Sequence, residues 1–156
     1  MPIPLLELER EGVTSAQMMR DLVYLSSIAV KDCEATRFLY EKGYVEDQVA
    51  YVEYYLKPSE EERKAWKLSE KNKTARLLFL VSLLKTTCCA APLLKDERHG
   101  EEILKTIVKS MSFLPAELSA RVLKLLEAAS KFGRDTHENV GQFTKEILNE
   151  LVINVE

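Results

Sequence analysis

A leucine-rich helical block recurs three times along this chain, and a second apolar helix follows each copy. The copies are DLVYLSSIA from Asp21, RLLFLVSLL from Arg76 and RVLKLLEAA from Arg121. Their trailing helices read VEDQVAYVEYYL, GEEILKTIVKSM and GQFTKEILNELV. In register, Leu22, Leu77 and Val122 agree, as do Leu25, Leu80 and Leu125, then Ile28, Leu83 and Ala128, with Ala29, Leu84 and Ala129 beside them. Apolar residues spaced by three and four give a helix one face to bury. A recurring pair of such helices is the mark of stacked units, which present a surface more often than they enclose a catalytic pocket. The interval from Asp21 to Arg76 exceeds that from Arg76 to Arg121, so an insertion breaks the period. The charged segment Ser59–Lys73 is that insertion.

Capping signals divide the chain into helices. Thr14 and Gln17 have capping-box spacing ahead of an apolar helix running to about Val30. Asp32 is read as the cap of a short helix through Phe38 and Leu39, which Gly43 ends in a left-handed turn. The next helix places Val45, Val49, Val52 and Leu56 on one stripe and stops before Pro58. Ser59 and Glu62 form a second capping box, opening a mostly exposed helix with only Ala65, Trp66 and Leu68 as apolar anchors. A strongly apolar helix runs from Thr74 to Leu84, broken by Pro92 and the polar DERHG segment. Ile103, Ile107 and Met111 mark the helix after it. Pro115 suits the first turn of a helix burying Leu118, Val122, Leu125 and Leu126. Asp135 and Glu138 form a third capping box before a last helix aligning Val140, Phe143, Ile147 and Leu151. No stretch alternates with the two-residue period of a half-buried strand. The chain reads as all-α and as a single helical domain over 1–156, or as a piece of a longer helical-repeat protein.

The first unit resembles an armadillo repeat: a leucine-rich second helix, a small polar break, a short apolar turn, a glycine, then a third helix. Leu25, Ile28, Ala29, Phe38, Leu39, Gly43, Val45, Val49 and Leu56 carry that likeness. The second unit keeps Pro92, Leu93 and Gly100, and the third keeps its two long helices with Gly141 near the expected glycine. The resemblance implies a right-handed α-solenoid of about three units, with the third helix of each lining a concave binding face. The import receptors of that family pair a tryptophan and an asparagine on successive third helices. Here Trp66 lies in the charged insertion and Asn149 stands alone, so that pattern is not kept. The alternative architecture is a single irregular helical bundle whose apolar helices share a leucine bias. The solenoid predicts sparse contact between the first and third units; the bundle does not.

A net charge of −3 gives no electrostatic footprint for nucleic acid. Three cysteines, two of them adjacent, do not make a disulfide framework and suit a reducing compartment, cytosol or nucleus. The N-terminal MPIPLLELERE lacks the basic and long apolar regions of a secretory signal. The run from Leu77 to Leu84, interrupted by Lys85, falls short of the ~20 residues of a membrane helix, so the chain reads as soluble.

The residues of catalysis are absent as patterns. There is no phosphate-cradling glycine loop, His-Glu-x-x-His, Cys-x-x-Cys or nucleophile elbow. Cys88 and Cys89 with His99 offer soft ligands, but adjacent cysteines chelate one ion poorly and no fourth ligand is spaced to help. A buried thiol pair at a helix end is the expected reading. His137 and the acidic runs Glu60–Glu62 and Glu101–Glu102 sit at helix starts, where carboxylates favour the dipole. We expect no enzyme, no cofactor and no metal.

Aromatic residues carry more information. Asp47, Tyr51 and Tyr54 fall opposite the Val45–Leu56 stripe, with Tyr44 one turn earlier. Tyrosines on an exposed helical face suit binding, because they bring area with a polar tip and little entropy to lose. The competing reading covers them with the N-terminal segment or the charged helix. The corresponding helices offer Lys105 and Lys109, then Lys145, Glu146 and Asn149. The expected function is a protein–protein interaction module, a scaffold or adaptor. The alternative is a bundle subunit that oligomerises through its C-terminal helix, where Leu151, Val152, Ile153 and Val155 follow no polar cap.

Overall fold

At Asp32 the sequence predicts a break, and the helix runs straight through it. The computed structural model describes residues 16–153, with side chains to Leu151. Its first helix, α1, is one continuous element, Ala16–Glu41. No proline or glycine lies between those ends, so nothing interrupts the i→i−4 ladder. Burial of Ala29, Val30, Cys33 and Thr36 offsets the modest helix propensity of Asp32. Thr14 lies outside the described residues, while Gln17 donates to Asp21 at 2.9 Å.

Gly43 ends α1 at φ +92°, a conformation that costs other residues strain. Tyr44 N–H donates to Leu39 C=O and Gly43 N–H to Tyr40 C=O, each at 3.0 Å, which is a Schellman closure. Helix α2, Val45–Tyr55, follows with Glu46 and Asp47 in its first turn. Val49, Val52 and Leu56 are buried and Val45 packs against the core, as the stripe predicts. Helix α3, Glu60–Ser69, is capped by Ser59, whose hydroxyl accepts from the N–H groups of Glu61 and Glu62. Of its three apolar anchors only Trp66 is buried; Ala65 is exposed and Leu68 is 84% exposed. The helix follows its own period, which leaves one aromatic to dock on α4 through Phe79 at 5.4 Å.

Helix α4, Lys73–Thr87, is capped by Asn72 and leads directly into a 310 turn, Cys88–Lys95. Together they make a helical run of 23 residues that is long and apolar enough, by length and composition, to cross a membrane. This corrects the shorter run read from the sequence: the helix carries Lys85 in its last turn and continues. Most of its apolar window is buried among the other helices. Helices α5, Gly100–Ser110, α6, Ala116–Ala129, and α7, Thr136–Leu148, complete the described fold. Pro115 stands just outside α6 rather than in its first turn, and Asp135 accepts from Glu138 N–H at 3.0 Å. A π turn, Asn149–Ile153, closes the described chain and buries Leu151 against its own core; the side chains of Val152, Ile153 and Val155 lie outside the described residues.

The described residues contain no strand, and the protein is all-α. The three leucine blocks fall on α1, α4 and α6, and their matched positions Leu22, Leu77 and Val122 are all buried, as are Ala29, Leu84 and Ala129. The expected sparse contact between first and third units is not found. Helix α1 packs on α4, on the 310 turn and on α7. Arg37 donates to Phe132 C=O at 2.6 Å, Thr136 and Asn139 donate to Glu34, and Arg134 grips Glu41 with both terminal nitrogens. At 26 residues α1 is about 39 Å long, enough to reach across the other units.

Candidate partner-binding surface

Four residues on one face of α1, Asp32, Ala35, Thr36 and Leu39, repeat at three- and four-residue spacing. They face Gln48, Tyr51 and Tyr55 of α2 across a groove of about 280 Å³, with Cys89 of the 310 turn also lining it. Tyr51 and Tyr55, one turn apart, stack with ring centres 5.4 Å apart and planes 12° from parallel. Burial raises the Tyr51 phenol, helped by Cys89, Tyr55 and Asp32. Burial also raises the Asp32 carboxyl, against the pull of Lys85.

The sequence-predicted residues sit around this groove unequally. Tyr44, Tyr51 and Tyr54 are 55%, 51% and 72% exposed, with Tyr55 at 45%, so no described residue covers the tyrosine face. Helix α3 docks on α4 instead. Tyr54 holds the Lys57 ammonium 5.1 Å from its ring centre, a cation–π contact on the exposed face. Asp47 is exposed, and the neighbouring Glu46 pairs with Arg98 and, at 3.0 Å, with His99. Lys105 and Lys109 are exposed on α5, where Lys105 reaches Glu102 at 3.4 Å; neither lines the groove. Lys105 and Lys109 flank a half-exposed apolar pair, Leu104 and Val108.

Tyr55, Gln48, Thr36 and Asp32 are the residues that sequence reasoning missed here. Tyr55 was within reach, since it lies four residues from Tyr51. Asp32 was read as a cap, and its true position depends on the continuity of α1.

The thiols are poor nucleophiles. Burial pushes Cys33 and Cys89 up to about 12, and pushes Cys88 well above its ordinary value. All three are free and buried, and at neutral pH they carry protons. His99 turns toward Glu46, and among the described residues no three histidine, cysteine or carboxylate side chains gather as a metal site. A second hollow of about 420 Å³ lies between α6 and α7, with Leu125, Ala128 and Phe132 in its lining and a rim of charges. One of those charges, Glu150, is engaged by Arg121 and Lys124. Compared with family models, with curated proteins and with solved structures, the chain matches none of them.

Proposed function

We propose that this protein is a non-enzymatic interaction module, a scaffold or adaptor that receives a protein partner on the tyrosine face of α2. One observation carries this reading: a single 11-residue helix presents Tyr51, Tyr54 and Tyr55, with Tyr44 at its N-cap, each roughly half exposed or more. Exposed aromatics clustered on a rigid element are what a partner surface uses as anchors. The architecture we propose beneath it is an irregular helical bundle that keeps the paired helices of an armadillo-like repeat. Direct packing of α1 on α7 supports a closed arrangement over an open superhelix. Oligomerisation through α7 and the π turn after it has less support, because Phe143, Ile147 and Leu151 are buried within their own chain. Three free, protonated thiols suit a reducing compartment.

The test replaces Tyr51 and Tyr54 together by alanine. Proteins captured by the wild-type chain should be lost or weakened by about 2 kcal/mol, the range of an interface hot spot. The midpoint of thermal unfolding should barely move, since exposed substitutions stay within about 0.5 kcal/mol each. A large fall in stability with capture unchanged would show that the tyrosines serve the fold.

A further inference from the structure

One buried hydroxyl-bearing residue among those described does not bond back to its own helix. Among the described residues, the buried Ser26, Ser69, Thr87, Ser110 and Thr144 each donate to a carbonyl of their own helix. Thr36 is only 4% exposed and lines the α1–α2 groove; among the described residues nothing bonds its Oγ1, which stays open to the groove. A hydroxyl that is not bonded back to its own helix and borders a groove is available to bond an occupant. Across the groove the Gln48 amide is also unengaged, and Asp32 forms no ion pair although Lys85 is near enough to act on it.

The occupant follows from the lining. Asp32 is the one acidic side chain in that lining and no basic one joins it, so a cation is attracted. The acceptors, a carboxylate, a hydroxyl and an amide oxygen, suit a group with several donors in one plane. The stacked pair Tyr51 and Tyr55 offers aromatic surface beside them. A guanidinium meets all three demands, whereas an ammonium is a point charge with no face to stack. A volume of about 280 Å³ suits one side chain rather than a cofactor. We infer that the groove between α1 and α2 receives a single arginine side chain of the partner, held by Asp32, Thr36 and Gln48 and flanked by Tyr51 and Tyr55. Burial that raises the Asp32 carboxyl would be relieved by such a cation. This inference rests on the partner-binding reading and names the chemistry that the groove selects.

The experiment titrates the whole chain with N-acetyl-arginine methylamide and follows amide correlation spectra. Saturable shifts should centre on Asp32, Thr36, Gln48 and Tyr51. The neutral isostere N-acetyl-citrulline methylamide should produce none. Asp32→Asn should weaken the response about tenfold, and Thr36→Val by a few-fold. An equal response to citrulline, shifts centred elsewhere, or an undiminished response in Asp32→Asn overturns the inference. The arginine-against-citrulline comparison needs only the wild-type chain, so it decides even if a variant fails to fold. Absence of an arginine response while Tyr51 and Tyr54 replacement still abolishes partner capture removes the anchor and leaves the tyrosine face standing. An arginine response with capture indifferent to the tyrosines does the reverse.

Discussion

Helix α2 and the α4–310 run are both apolar helices, but they are buried in different ways. Helix α2 buries one stripe and gives its remaining circumference to solvent. The run from Lys73 to Lys95 is enclosed on most sides: Leu80, Val81, Leu83 and Leu84 are buried, then Cys88, Cys89, Ala90, Ala91 and Leu93. Helices α1, α5 and α6 all pack on the 310 turn. A helix buried all round can carry stability but offers no surface, while one buried along a single stripe keeps a face that selection can spend on recognition. The aromatic residues follow that division. Phe79 of α4 lies partly buried between Trp66 and Phe113, whereas the α2 tyrosines stand in the open.

Breaking the enclosed run should therefore cost far more than changing α2. Leu84→Ala removes a side chain with no exposure, and should lower stability by about 3–4 kcal/mol. For a chain of this size that is a fall of roughly 10 °C in Tm, readable by calorimetry. If Leu84→Ala proved as mild as the tyrosine variants, the division between the two helices would be lost.

Gly100→Ala probes how tightly the 310 turn meets α5. A Cβ there would stand 2.5 Å from the carbonyl oxygen of Leu94, a backbone atom that cannot swing aside. We expect a loss of about 2 kcal/mol, measured by urea unfolding. Gly141→Ala, on the open face of α7, meets nothing within 4 Å and should be neutral or slightly stabilising. Equal effects at the two glycines would refute the close approach.

The thiols give the smallest effect at ordinary pH, growing only in alkali. Folding lifts Cys33 and Cys89 from 9.0 to about 12. Above the unfolded value, the folded state therefore holds protons that the unfolded state has released. Stability should be full below about pH 9 and fall as pH rises toward 12. Melting curves across that window, compared with Cys33→Ala, check it: the variant should lose part of the alkaline decline.

The local features of this fold were legible because they depend on near neighbours in the chain. Ser59, Asp135 and Gly43 act where a few residues of sequence place them, since a cap needs only the backbone two or three positions away. The stripe Val45, Val49, Val52 and Leu56 and the trio Ile103, Ile107 and Met111 are buried for the same reason: helical period alone puts them on one face. The candidate surface was half legible. Tyr44, Tyr51 and Tyr54 are exposed as their spacing implies, but Lys105 and Lys109 do not join the groove.

What the sequence by itself determined is the helical content, most helix ends, the inward stripes and the outward tyrosines. All of these follow from interactions three or four residues long. Tertiary structure alone decided that α1 passes Asp32 without a break and reaches α7, that the cysteine turn becomes the centre of the core, and that Thr36 faces Tyr51. Those outcomes depend on which faces meet across dozens of residues. A repeating pattern says that each face must be buried, but not against what.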